Sequence, residues 1–382
     1  MQDDLMAFGE KAAGAVDEPC CCGPAPSPRS DGRELPGYKL CGFVASFMET
    51  PADTVPVVKT RLEREDHLGT LAARWNVGRS NYKVTPGLYA VGTPDKESPV
   101  LATANYKLSF DAVRRELSGI NAWLLVVDTR GINVWCAAGK GTFSAEEVAE
   151  MVKRTHLEKV VSHRKVILPQ LCANGVTARD VKKLCGFRAE FGPIRASDLP
   201  RFIKNGLKAD EEMRRITFTF KERVELTPVE LSLTGKPLLW LLPLLFLLSG
   251  IGPDVFTFSQ ADHRGLAAWM AIFTGIVAGA VVTPALLPWL PGRAFALKGG
   301  VAGLASGLLF CAFYWHDFGV GTLGALLLWL TAISSYLAMN FTGSTPYTTP
   351  SGVEYEMKRA IPAQAIAVVV GLIIWLAAPF TG

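Results

Sequence analysis

The chain has 382 residues and a formal net charge of +4, with 49% of its residues hydrophobic and only 19% charged. That length accommodates two domains, the charge is too small to indicate a nucleic-acid partner, and the apolar surplus is unusual for a purely soluble protein. Cysteines at 20, 21, 22, 41, 136, 172, 185 and 311 do not make a disulfide framework in a chain of this size, and no secretory leader pattern opens it. The first domain is therefore expected to be cytosolic with reduced thiols.

Residues 1–36 mix Gly, Pro, Ser and charge (EPCCCGPAPSPRSDG) and read as a disordered arm. Cys20, Cys21 and Cys22 are adjacent, which suits neither zinc nor iron–sulfur spacing. They are either incidental thiols of a solvated tail or a capture point for a soft ion. Farther on, residues 60–76 hold a helix carrying Leu62, Leu68 and Leu71, with His67 on its surface.

Between residues 99 and 200, strand-like and helix-like runs alternate, as in a doubly wound, Rossmann-like α/β sheet. Residues 99–103 read as a strand and 109–117 as a helix with Ser109 at its N-cap. Residues 122–129 follow as a buried strand, then a loop over 132–140, and then a helix opened by a Ser144–Glu147 capping box. Residues 166–168 form a further strand, 177–184 a helix, and 187–191 a strand ending at Gly192-Pro193. Ligands in open α/β sheets lie beyond the carboxyl ends of strands. The loops 103–109, 132–140 and 192–193 are therefore expected to share one pocket rim.

The most informative stretch is Asn133-Val134-Trp135-Cys136-Ala137-Ala138-Gly139-Lys140. A cysteine here is either a small buried hydrophobe or a reactive thiolate. Gly139 and Gly141 permit close backbone approach, and Lys140 and helical N–H groups favour the thiolate. A phosphate-cradling P-loop is excluded, because Val134 stands five positions before Gly139 and Gly141 follows Lys140. Trp135 is either a pocket wall or a core residue, and Cys172 and Cys185 read as core packing.

After residues 214–226, which alternate like a strand, the composition changes near Pro237. Apolar runs at 238–258, 266–290, 295–315, 318–341 and 360–380 predict an all-α domain of five transmembrane helices over 237–382. Lys236, Arg293, Lys298, Lys358 and Arg359 fall on one side and Arg264 alone in the opposite loops, which places the first domain on the cytosolic face of the inner membrane. The acids lie near span ends, unlike those of a transporter. Gly275 and Gly279, then Gly299, Gly303 and Gly307, recur every four residues and predict close helix packing.

The run N-V-W-C-A-A-G-K resembles the signature of the HgcA family, the corrinoid proteins of bacterial mercury methylation. It is more distantly similar to the corrinoid subunit of the corrinoid iron–sulfur protein. The resemblance implies that residues 37–236 bind a cobalamin-type corrinoid, with Cys136 on a short capping segment as the lower axial cobalt ligand. Thr103, Ser109, Ile132, Asn133, Val134, Trp135, Ala137, Ala138, Gly139, Lys140 and Gly192 would line the cofactor; T-A-N-Y-K-L-S-F-D also looks like its counterpart in the family. The D-x-H-x-x-G motif of other cobalamin proteins is absent, since Asp66 and His67 are adjacent.

The implied activity is corrinoid-dependent methyl transfer from methylated cobalt to Hg(II), giving methylmercury. The implied partners are a methyl-folate-linked donor, a ferredoxin-like iron–sulfur reductant, the lipid bilayer, and Hg(II), which Cys20, Cys21 and Cys22 would capture. Two alternatives stay open: a membrane-tethered corrinoid methyl carrier with a non-mercury acceptor, and a heavy-metal binding or transport protein.

Overall fold

The computed structural model describes residues 28–29, 36–37, 40–344 and 350–381. The stretch with Cys20, Cys21 and Cys22 lies outside the described residues. Contacts divide the chain into one unit of Met1–Thr70 with Ser80–Arg215 and a second of Leu71–Arg79 with Ile216–Gly382.

The first unit is built on a seven-stranded sheet. In chain order its elements are β1 (Val44–Glu49), β2 (Thr54–Val58), α1 (Arg64–Arg74), β3 (Gly87–Val91), β4 (Val100–Ala104), α2 (Lys107–Glu116) and β5 (Ala122–Val127). They continue with α3 (Val134–Gly139), α4 (Ala145–Arg154), α5 (Leu157–Val160), β6 (Lys165–Leu168), α6 (Ala178–Cys185), β7 (Arg188–Phe191) and α7 (Leu199–Lys204). The strand order is β1-β2-β3-β5-β4-β6-β7.

β5, β4, β6 and β7 run parallel as neighbours, as do β2 and β3, whereas β3 lies antiparallel to β5 and β1 to β2, so the sheet is mixed rather than uniformly wound. The short link over 92–99 returns β4 in the direction opposite to β3, since a parallel return needs a crossover of a dozen or more residues, and β5, parallel to β4, lies between the two. β4 and β5 are buried throughout, as their unbroken apolar runs require of strands covered on both faces. Leu101, Leu124 and Val126 face Phe110 of α2 and Leu199 and Phe202 of α7. Ala102, Leu125 and Val127 face α3, α4 and α6 through Val134, Ala137, Val148, Met151 and Val181. Each large apolar side chain so buried stabilises the unit by about 1.5–3 kcal/mol.

Three local expectations are corrected here. Helix α2 begins at Lys107, with Tyr106 at its N-cap, so Ser109 lies in the first turn. The Tyr106 carbonyl already accepts from the Ser109 and Phe110 N–H groups, and Lys107 is held by Asp66 and Asp111 at 2.6 Å each. The Ser144–Glu147 box is half made: Ser144 Oγ accepts from the Glu147 N–H, but the Glu147 carboxylate is taken by Arg29 at 2.8 Å and Arg130 at 2.7 Å. Residues 214–226 form no strand, because a full capping box between Thr219 and Glu222 starts a helix, α8 (Phe220–Val224). In α1, Leu68 and Leu71 are exposed, as is His67.

The second unit continues with α9 (Thr227–Ser249), a small hairpin of β8 (Ile251–Gly252) and β9 (Val255–Phe256), and α10 (Phe258–Val277). The latter passes through a π-turn over Ala278–Val282 into α11 (Thr283–Leu286). α12 (Phe295–Phe313), α13 (Val320–Asn340) and α14 (Pro350–Thr381) complete it. Five helices are long and apolar enough to cross a membrane: Phe220–Ser249, Phe258–Leu286, Phe295–Phe313, Val320–Asn340 and Gly352–Thr381.

The spaced glycines meet α13 at backbone distance. A Cβ on Gly275 would lie 2.9 Å from the Leu330 carbonyl oxygen, and one on Gly279 or Gly299 would lie 2.6 Å from that of Ser334. Gly303 and Gly307 make equally close approaches to Ser334 and Leu327. Arg264 is not in a loop, as the charge pattern suggested: it sits within α10 and is 8% exposed. Its guanidinium is held by backbone carbonyls of Ser249, Ile251 and Trp375, which lets a charged residue sit inside a helix end.

Candidate functional site at the carboxyl edge of the sheet

The site begins with the ends of β4 and β5. The chain leaves β4 for α2 on one face and leaves β5 for α3 and α4 on the other, so the two neighbouring strands open a crevice at their carboxyl ends. Asn105 and Asp128 occupy it, 2% exposed each, joined by a 3.1 Å hydrogen bond from Asn105 Nδ2 to Asp128 Oδ1. Asn105 Oδ1 accepts from the Thr129 N–H at 3.1 Å, the Thr129 hydroxyl at 2.9 Å and the Gly131 N–H at 2.8 Å. Asp128 Oδ1 also accepts from the Arg130 N–H at 3.1 Å. Arg130 has φ 60 and Gly131 φ 76, so this clamp holds a left-handed turn that Arg130 adopts at a steric cost.

The turn delivers the chain into α3. Sequence patterning suggested a loop over 132–140; the structure shows a short helix. Asn133 is its N-cap, accepting from the Cys136 N–H at 2.9 Å. Val134, Ala137 and Ala138, spaced three and four apart, are buried, whereas Trp135 and Cys136 are half-buried and Gly139 is exposed. A Cβ on Gly139 would meet nothing within 4 Å, so the outer side of the helix beside the thiol is open. Trp135 belongs to no core cluster among the described residues.

Beneath α3 runs the turn after β6. Cys172 is fully buried there, and burial pushes its thiol up to about 12. A Cβ on Gly175 would lie 2.4 Å from the Ala138 carbonyl oxygen, so the turn and the helix touch backbone to backbone. Gln170, on the same edge, has a buried Oε1 with no hydrogen-bond partner among the described residues. Cys185 is half-buried, donates to the Val181 carbonyl at 3.2 Å and is pushed up by burial.

The expected rim is therefore assembled in part. The segment from Ile132 to Lys140 and Ser109, half-buried in the first turn of α2, lie at the carboxyl edge. Thr103 is 1% exposed and, by strand alternation, shares the Leu101 face of β4, opposite to the face that carries α3. Gly192 is buried, and a Cβ there would lie 3.0 Å from Ile167 Cγ2, so it serves internal packing. Sequence reasoning missed Asn105, Asp128, Gln170 and Gly175. The signal for Asn105 was its place directly after a buried strand in the same short run as Thr103 and Ser109.

The chemistry of this set is specific. Among the described residues no group of three or more His, Cys, Asp or Glu side chains is placed to hold a metal ion. A single soft thiol donor is suited to one axial position on a metal whose other ligands come from a macrocycle. The open face over Gly139 and the orphaned Gln170 acceptor, which an amide N–H would satisfy, fit a flat cofactor bearing amide side chains.

The same region carries the likeness to known proteins. Residues 46–203 match the family described as CO dehydrogenase/acetyl-CoA synthase delta subunit. The chain is 38% identical over 137 residues to the acetyl-CoA decarbonylase/synthase complex subunit gamma of Methanopyrus kandleri, covering 35% of this chain and 29% of that protein. It is 39% identical over 130 residues to subunit gamma 2 of Methanosarcina thermophila, covering 33% and 27%. The subunit gamma of Methanocaldococcus jannaschii is 35% identical over 129 residues, covering 33% and 26%. The chain thus spans well under half the length of these relatives, and the likeness falls on the α/β unit.

Proposed function

We propose that the α/β unit binds a corrinoid as a methyl carrier, and that the whole chain is a membrane-anchored corrinoid-dependent methyltransferase whose acceptor is Hg(II). The observation that carries this reading is Cys136 on the open side of α3, at the carboxyl edge of the sheet, in a unit similar to subunits of acetyl-CoA synthase complexes. The residues that would hold the cofactor are Asn133–Lys140, with Ser109 and Gln170 at the edge. When bound, a corrinoid supplies a cobalt centre able to accept and release a methyl group.

The protein's part is positional and electronic. Asn133 fixes the Cys136 backbone, and the Asn105–Asp128 clamp fixes the turn before it. Cys136 would hold the cofactor's metal through a soft, electron-donating sulfur, and a soft cation such as Hg(II) is the acceptor class that matches such a donor. The apolar side of α3 excludes water beneath the thiol. A ferredoxin-like iron–sulfur protein is the proposed reductant and a methyl-folate-linked protein the proposed donor. The proposed location is the cytosolic face of the inner membrane, supported by the five apolar helices and by Lys236, Arg293, Lys298, Lys358 and Arg359.

The ultraviolet–visible spectrum of the full chain loaded with methylcobalamin tests this, compared between native protein and Cys136→Ala. Retention of the corrinoid with cobalt-ligation bands that move on loss of the thiol is expected. Folded protein that retains no corrinoid would overturn the reading. The relatives are subunits of an acetyl-CoA decarbonylase/synthase complex, which favours a second reading in which the acceptor is an enzyme partner. Offering the methylated protein Hg(II) and other acceptors in parallel separates the two.

A further inference from the structure

The second unit carries a polar cavity that an anchor does not require. It is a cleft open to the surface, of about 310 Å³, where the starts of α10 and α13 meet the end of α14. Its buried lining includes Arg264 and Thr322, both 8% exposed, and its exposed rim includes Ser259, His263 and Asp317.

Arg264 is the centre of the argument. Its guanidinium donates to the carbonyls of Ser249 at 3.0 Å, Ile251 at 3.4 Å and Trp375, and sits 4.4 Å from the Trp375 ring centroid. These bonds use three of its five N–H groups, and among the described residues no carboxylate lies within ion-pairing distance. An ionised group in a helical membrane segment without a counter-charge marks a binding site by default. Beside it, Gln260 Oε1 is buried without a partner among the described residues, as are Ser249 Oγ and Trp375 Nε1 on residues whose carbonyls Arg264 holds. The lining thus presents a cation seeking an oxyanion, an amide acceptor seeking an N–H donor, and a carboxylate, Asp317, seeking a cation.

We propose that this cavity binds a zwitterionic group carrying one oxyanion and one primary ammonium, the oxyanion on Arg264 and the ammonium on Gln260 Oε1 and Asp317. An ethanolamine phospholipid headgroup and a free amino acid share that chemistry. The inference stands on the helical unit alone and is independent of the corrinoid reading.

The full chain, purified in detergent, is titrated with phosphatidylethanolamine, phosphatidylcholine or phosphatidylglycerol while bound lipid is counted by native mass spectrometry. A second arm titrates free glycine by calorimetry. Arg264→Gln removes the bridge to three carbonyls and so endangers the fold; Gln260→Leu and Asp317→Asn leave that bridge intact. A lipid site predicts saturable ethanolamine-lipid binding at least about tenfold tighter than choline lipid, whose trimethylated nitrogen cannot donate, and loss of that preference in both variants. Saturable glycine binding lost in the same variants assigns the site to a free amino acid. No saturable glycine binding, together with equal affinity for the three lipids or a preference that survives both variants, overturns the proposal.

Discussion

The edge of the α/β sheet and the helix ends around Arg264 both place polar groups inside an apolar frame, and they resolve the cost differently. At the sheet edge Asn105 and Asp128 satisfy one another and the turn around them, so the network holds backbone in place. Around Arg264 the charge is shared among carbonyls while Gln260, Ser249 and Trp375 keep polar atoms that have no partner among the described residues. A closed network positions a reacting atom; an open one has bonding capacity left for a ligand. Gln170 is the one open acceptor described at the sheet edge, beside the helix that carries Cys136.

The comparison breaks most readily at Asn105. Asn105→Ala leaves the buried Thr129 and Gly131 N–H groups unpaired, at a cost of about 2–4 kcal/mol. Chemical denaturation is expected to show that loss, together with release of α3 and weakened corrinoid retention. Next in size is Gly175→Val, which drives a side chain into the Ala138 carbonyl. Overpacking of this kind costs about 1–3 kcal/mol, and faster alkylation of Cys136 in the variant would report that α3 has been lifted.

Acid gives a smaller and graded effect. Burial pushes the Asp66 carboxyl up, but hydrogen bonds from Lys107, the Glu63 N–H and Arg114 outweigh it and hold it at about 2, below the ordinary 3.8. Because the folded chain binds this proton more weakly than the unfolded one, the stabilisation is complete above pH 3.8 and lost as pH falls towards 2. The amount is on the order of 1–2 kcal/mol, and Asp66→Asn should flatten that part of a stability–pH curve. The smallest effect sharpens the comparison without harming the fold: a thiol reagent at neutral pH should label half-buried Cys136 and exposed Cys41 while sparing Cys172, read by peptide mass spectrometry.

Much of the frame was legible because it repeats. The alternation of apolar runs and amphipathic stretches located β4 to β7 and the helices α2, α4 and α6 between them, though not the short α3 and α5, and the tail's apolar runs located its five long helices to within a turn or two at most ends. The four-residue glycine spacing anticipated the approach to α13, because only residues on one helical face recur that way. The failures lay where pattern and partner disagree. Residues 214–226 alternate like a strand, yet the Thr219–Glu222 box commits them to a helix. Arg264 reads as a loop charge because nothing local announces the carbonyls that receive it.

The candidate site divides the same way. The sequence by itself singled out the Cys136 thiol as the candidate reactive atom, since a thiol followed by Gly139 and Lys140 after a buried strand is a local property of the chain. It could not determine that Thr103 faces the other side of the sheet, that Gly192 is there for packing, or that Asn105, Gln170 and Gly175 surround the Cys136 helix. Those facts follow from strand order and from which face each crossover takes, and they rest on contacts between residues dozens of positions apart. Periodicity reports the face a residue shows to its own element; only the assembled sheet decides what stands opposite.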